Sequence, residues 1–402
     1  MNLKTPSAQV ALLSAGHFLN DFYCNFLPVL LPAIMPKTGL SIAMAGVLVI
    51  VMSITSNLLQ PVFGWLMDRK NMIWMLVPVI PFGALCICMI GFVESKAMLF
   101  AVIALTGLSV SAFHPLGSTL VSRVSDPRRI SRSTSYFVAG GNIGYAIAPT
   151  LIIAFAAAFS PYALPVLAIP ALVLAWLYAR SGLGSQSTLS LAKKPEADKD
   201  EARAASRPKL SAILKDPDVL KLNLSMGLRC WTHATISTFL PLLLVTNGYS
   251  QILSGTLLSV FLAGCAAGGL MGGQLGDRMD HKKLMIVSLI LSIAPAVYAL
   301  MHASPEPASL IALFLSGFFI LAPQPSSIIV AQKMMPGNGG LASGMMLGLS
   351  FGIGSLGTAL TAWAASFTGL SAAMLLATAP LVLSAVLTAL TRFPEKESPA
   401  QI

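Results

Sequence analysis

His17, Asn20 and Asp21 lie in the stretch GHFLNDFYCNFLP, residues 16–28, inside an apolar run from near Val10 to near Ile34. Of the 15 Asp and Glu residues, Asp21 alone falls in the middle of such a run. A lone carboxylate in hydrocarbon costs about 3 kcal/mol on insertion scales. Burial favours the neutral acid and a nearby cation favours the anion. A carboxyl held between those influences can exchange a proton, which is the chemistry that coupling to a proton gradient needs. His17 is one helical turn earlier, on the same face. Asp21 and His17 are therefore the candidate proton-coupling pair.

Arg229 is the opposite case, the one Lys or Arg deep inside an apolar run. His233 is one turn further and Trp231 lies between them. Asp21 is 13 residues into its run, about 20 Å along a helix; Arg229 sits at a similar depth. His17, His114, Arg229 and His233 supply more potential cations than acids, which points to a polar or anionic cargo. Asn20, Tyr23, Asn142 and Gln324 are further candidates for contact with it. Gln324 stands between two prolines in APQPSS, at the place that His114 of AFHPLG occupies in the first half. A histidine bonded to the backbone that Pro115 loosens is the plainer account of His114, and glue between helices that of Asn142. Phe22, Tyr23, Tyr136 and Trp231 are the aromatics that could line a cavity, with packing or lipid contact as their default.

The elements that must hold these side chains follow from composition. The chain has 402 residues, 55% of them hydrophobic and 10% charged, with a mean hydropathy of +0.79. Soluble domains carry about 25% charged residues. Apolar runs long enough to cross a bilayer recur along the whole chain. We expect twelve helical spans, near 8–34, 43–67, 72–93, 97–121, 133–158, 162–180, 219–245, 252–275, 283–302, 308–332, 340–366 and 371–391. The fold class is all-α polytopic: two pseudo-symmetric six-helix bundles, residues 1–180 and 216–402, with a cytoplasmic linker at 181–215. The linker contains KKPEADKDEARAASRPK, too polar to bury; its basic residues could also rest on anionic lipid.

The net charge of +10 is not a nucleic-acid footprint. An N-inside topology puts 22 of the 25 Lys and Arg on the cytoplasmic side, leaving Lys37 and Lys96 outside and Arg229 within a span. That asymmetry is the positive-inside rule. It puts both termini in the cytoplasm and the chain in the cytoplasmic (inner) membrane. The five cysteines fall in spans, not in a disulfide framework. We expect no cleaved signal peptide, the first run being of spanning length.

The halves repeat. GLSIAMAGVL at 39–48 echoes GYSQILSGTL at 248–257, and GWLMDRK at 64–70 echoes GQLGDRM at 273–279, both offset by 209. Duplication of this kind marks transporters. In each repeated loop a glycine, Gly64 or Gly273, lets two helices approach. The acid and arginine beside it, Asp68 with Arg69 and Asp277 with Arg278, are placed for charge pairs that break and re-form as the halves rock. Ordinary juxtamembrane charge would look the same in a single copy.

Twelve spans, two similar halves and the G-x-x-x-D-R loop in both resemble the major facilitator superfamily along essentially the whole chain. Arg69-Lys70-Asn71 is a shortened form of its loop, and the second copy carries an extra Asp280 and His281. GHFLNDFYCNFLPVLLP, SAFHPLGSTLVSRVS and SYFVAGGNIGYAIAP resemble the fosmidomycin-resistance-type branch. That resemblance implies a proton-driven exporter, a cavity role for His114, and Asp21 and Arg229 facing one central cavity as either a gate or a substrate switch. The stretch AGGNIGYAIAP carries Gly140, Gly141 and Gly144, but Pro149 comes later than the superfamily's antiporter signature asks. Close packing and an export role are both open for these glycines.

No phosphate loop, metal-ligand spacing or catalytic constellation is present, so we expect no enzyme, no cofactor and no metal centre. The expected partners are a small-molecule substrate, protons and membrane lipid, with the chain a monomer. A proton-symport importer uses the same parts, and a non-transporting receptor or scaffold is the remaining alternative.

Overall fold

The computed structural model describes residues 3–40, 42–185 and 210–394, and the described residues form helices and no strand. Among the described residues, ten helices are long and apolar enough to cross a membrane, and the bent pair Pro127–Ala148 and Thr150–Ala156, at 41°, makes an eleventh. The first of the twelve expected spans, split at Asn25 into Pro6–Cys24 and Phe26–Thr38, is not among them. We number the segments α1 to α12. α1 is Pro6–Cys24 continued by Phe26–Thr38 beyond a break at Asn25. α2 is Ile42–Ser53, a π-helical turn at Ile54–Leu58, and Gln60–Arg69. α3 is Ile73–Phe92, α4 Lys96–Val124, α6 Pro161–Ser181 and α7 Pro217–Thr246. α5 is Ile130–Phe159 and α8 Gln251–Gly276. α9 is His281–Met301, α10 Pro307–Met334, α11 Gly339–Thr368 and α12 Leu370–Leu390. Residues 186–209 of the expected linker lie outside the described residues.

Local chemistry sets these starts. Thr5 caps α1 ahead of Pro6, and Asp216 caps α7 ahead of Pro217. A capping oxygen takes a free helix N–H, and proline fits the first turn, where its missing N–H costs nothing. The break at Asn25 keeps its groups bonded: its N–H donates to Phe22 O at 3.3 Å and its side-chain amide to Tyr145 O at 2.9 Å.

The chain forms two compact units. The first is Met1–Glu201 with Gly340–Gly352, and the second is Ala202–Gly339 with Ile353–Ile402. The first half of α11 thus packs with the N-terminal helices. Small residues do the joining. In the second unit Gly264, Gly268 and Gly272 of α8 lie against the carbonyls of Phe314, Phe318 and Ala322 on α10. Their spacing of four keeps one face of α8 bare, so the backbones meet. In the first unit Gly140 and Gly144 of α5 lie against Ser14 O and Phe18 O of α1.

Candidate functional site

In the first unit, α1, α4 and α5 bring three ionisable side chains together. Asp21 Oδ2 is 3.2 Å from His17 Nε2, and Asp21 Oδ1 is 3.1 Å from His114 Nε2. Asn20 Nδ2 donates to Asp21 Oδ1 at 3.1 Å. His17 and His114 are buried, and the Asp21 side chain is 19% exposed. The pair expected from spacing is therefore a triad with His114 added, 93 residues away. Gly141 makes the approach possible, since a Cβ there would stand 2.5 Å from both Asp21 Oδ2 and His17 Nε2.

The outer nitrogens of the two imidazoles are held differently. His17 Nδ1 faces Phe137 O at 2.7 Å, and its ring stacks on Phe137 with centroids 4.2 Å apart. A carbonyl only accepts, so Nδ1 carries a hydrogen and Nε2 is the edge that shares a proton with Asp21. His114 Nδ1 has two neighbours, Val110 O at 3.0 Å and Gln60 Nε2 at 3.2 Å. α4 runs unbroken through Pro115. The contact to Val110 O is the backbone contact of the plainer account, and the Gln60 amide competes for the same nitrogen.

Among the described residues, His17, Asp21 and His114 are also the group whose ligand atoms, within 4.8 Å of one another, are near enough for a metal ion. A metal ligand must offer a bare nitrogen. On His114 the Val110 carbonyl requires a hydrogen on Nδ1 and the Gln60 amide requires that nitrogen bare, so these two contacts by themselves fix no tautomer.

Asp68 sits at the end of α2, 8% exposed. Its Oδ1 accepts from Gly340 N and its Oδ2 from Leu341 N, both at 2.8 Å. These are free N–H groups of the first turn of α11, where a helix attracts an anion. Gly64 lies against Gly340 O. Arg69 is exposed, donates to Trp65 O at 3.3 Å and lies over the Trp65 ring at 4.4 Å.

In the second unit Arg229 is fully buried. Its Nη1 donates to Ile320 O at 3.0 Å, and its Nη2 donates to Gln324 Oε1 and to Cys230 Sγ, the latter at 3.2 Å. α10 breaks at Ala322 ahead of Pro323, and Ile320 lies just before that break. Nε has no partner. All three acceptors are neutral, so within this unit the guanidinium keeps its charge and an unused donor. Arg229 and Gln324 are thus joined, as the sequence positions suggested only indirectly. His233 packs on Phe261 with ring centroids 5.7 Å apart. Trp231 Nε1 donates to Thr361 Oγ1 at 2.8 Å, and its ring lies against Gly357.

The other candidates are placed as follows. Tyr23 donates from its hydroxyl to Leu167 O at 2.7 Å, on α6. Asn142 of α5 has its Nδ2 buried without a partner. Gly273 is buried near the end of α8, Asp277 caps that end, and Arg278 is exposed. Sequence reasoning missed Gln60, Phe137, Gly340 and Leu341. Gln60, a polar residue in the run LLQPVFG, carried a usable signal; Gly340 and Leu341 act through backbone N–H groups, which no residue type announces, and Phe137 through its carbonyl and a ring that looks like ordinary packing.

The sequence profile of the Major Facilitator Superfamily matches residues 13–256 and 222–402. The fosmidomycin resistance protein of Escherichia coli (strain K12) is 28% identical over 380 residues, covering 91% of this chain and 88% of that protein. The uncharacterized MFS-type transporter YfnC of Bacillus subtilis (strain 168) is 26% identical, covering 86% and 83%. In fold, the E. coli fucose:proton symporter superposes with a TM-score of 0.69 at 13% identity, over 95% of this chain and 98% of that one.

Proposed function

This chain belongs to the major facilitator superfamily, and on that premise we propose that it is a proton-coupled antiporter exporting a small polar or anionic compound by alternating access. The observation that carries the reading is the Asp21 carboxylate held between two imidazoles in mid-span. Two His contacts and one amide N–H supply hydrogen bonds to a charged group, each about 1.5–3 kcal/mol, enough to offset the cost of the ion in hydrocarbon. The balance shifts when a proton arrives or leaves, as coupling requires.

Arg229 supports an anionic cargo. A buried guanidinium with neutral partners and one free N–H favours a ligand that brings negative charge. Gln324 orients it, and His233 one turn away adds a second donor. Asp68 on the first turn of α11 would act as a latch, intact in one state and broken in the other. The location is the inner membrane with both termini in the cytoplasm, which the Lys and Arg distribution supports.

The relative named for fosmidomycin resistance makes a phosphonate the first cargo to try. A strain overproducing this chain and a deletion strain should be compared for susceptibility to phosphonates, other small acids and hydrophobic amines. Protection against phosphonates or acids is expected; protection confined to cationic amines contradicts the anionic reading. Accumulation of the cargo in the overproducing strain would reverse the direction to symport.

A further inference from the structure

We propose that Gln60 is the positioning residue that reports the proton on His114 to the contact between α2 and the first half of α11. The inference rests on the proton-coupled reading of Asp21 and His114. Gln60 is fully buried, just past the π-helical turn of α2. Its Nε2 donates to Ser56 O at 2.8 Å, inside that turn, and reaches His114 Nδ1 at 3.2 Å. Its Oε1 is buried with no partner. On the other side, Gln60 O lies against Gly344, and the Gln60 side chain against Gly348. α11 has its own π-helical turn there, Met345–Leu349, and the two turns touch. Single π-turns inside α-helices are rare and concentrate at functional sites.

The two neighbours of His114 Nδ1 require opposite hydrogens. Val110 O can only accept, so it needs an N–H on Nδ1. The Gln60 amide nitrogen can only donate, so it needs a bare Nδ1. Both cannot be bonds at once, and the proton on His114 selects between them. In the neutral ring, Nε2–H donates to Asp21 and Nδ1 accepts from Gln60. A proton added at Nδ1 makes the imidazolium; Nε2–H still donates to Asp21, and Nδ1–H now donates to Val110 O. The Gln60 N–H then faces another N–H. If the amide turns over, its unpartnered Oε1 accepts from Nδ1–H, but that oxygen then meets Ser56 O. In either case Ser56 O or the amide loses its bond, and the π-turn that supports Gly344 and Gly348 is loosened. Among the described residues, the titratable groups against His114 are Asp21, at 3.1 Å, and His17, whose ring centroid is 4.9 Å away. α2 presents the neutral Gln60 to it, and Gln60 in turn meets Ser56 O, Gly344 and Gly348.

Asp68 is the other titratable group on this α2–α11 contact, and it provides the control. Hydrogen–deuterium exchange of the full chain in lipid nanodiscs, at pH 8 and pH 5.5 and corrected for intrinsic exchange, reads the protection of residues 339–352. The wild type should lose on the order of tenfold protection at the lower pH, the scale of one buried bond left unmade. Gln60→Met keeps the volume and removes the amide, and should abolish that difference. His114→Gln removes the titrating ring and should hold protection constant across pH. A wild type without the difference overturns the proposal, as does Gln60→Met or His114→Gln retaining it; a difference carried by Asp68 alone would survive in both variants. Proton-coupled flux that survives Asp21→Asn would instead sink the reading beneath it, whereas flux lost in Asp21→Asn with the difference kept in Gln60→Met sinks this inference alone.

Discussion

At the scale of the residue, Asp21 and Arg229 are the two charges set within long apolar runs, and each is held by neutral or titratable partners. Asp21 relies on hydrogen bonds from His17, His114 and Asn20. Replacing His114 with Gln should leave the fold intact and reduce coupled flux by about tenfold, since one charge-assisted bond is lost; a flux assay over a pH series checks it. Arg229→Lys should weaken cargo binding by at least about tenfold, because an ammonium cannot reproduce the fork that reaches Ile320 O and Gln324 together. A binding isotherm for the phosphonate probe measures that loss. Gly141→Ala should destabilise the protein by about 1–3 kcal/mol through overpacking, because its Cβ would push into Asp21 and His17. Thermal unfolding in detergent reads the loss, and an unchanged melting temperature would argue that α5 does not confine the triad.

At the scale of the element, the two units use one plan twice. α1 offers Asp21 to His114 of α4, and α7 offers Arg229 to Gln324 of α10. Glycines of α5 seat on α1, and Gly354 and Gly357 of α11 seat on Cys230 and Trp231 of α7. The repeat in the sequence foretold this plan, and the mid-span polar residues pointed to its contents. What the sequence could not convey was pairing across distance. His114 and Asp21 meet because glycines let α1 and α5 approach while α4 crosses beside them, and that geometry belongs to packing, not to spacing. The break in α1 at Asn25 was also hidden, because Leu27, Pro28, Val29 and Leu30 continue the apolar run unchanged. The Asp68 latch was half legible: the acid and glycine stood out in GWLMDRK, but its partners are the backbone N–H groups of Gly340 and Leu341. Asp68→Asn keeps the shape and removes the charge. It should cost the latch about 1–2 kcal/mol and raise exchange of residues 340–341 at every pH.

At the scale of the whole molecule, the chain is a membrane protein whose profile match extends over residues 13–256 and 222–402. On the proposed function, His17, Asp21 and His114 are where a proton gradient would act. On that reading, Asp21 couples protons to export. Proteoliposomes loaded with a labelled phosphonate and given an inward proton gradient test it most directly. The gradient should accelerate phosphonate efflux in the wild type, and Asp21→Asn should cut this acceleration by about a hundredfold or more, the scale of losing an essential proton carrier. Acceleration undiminished in Asp21→Asn would contradict it.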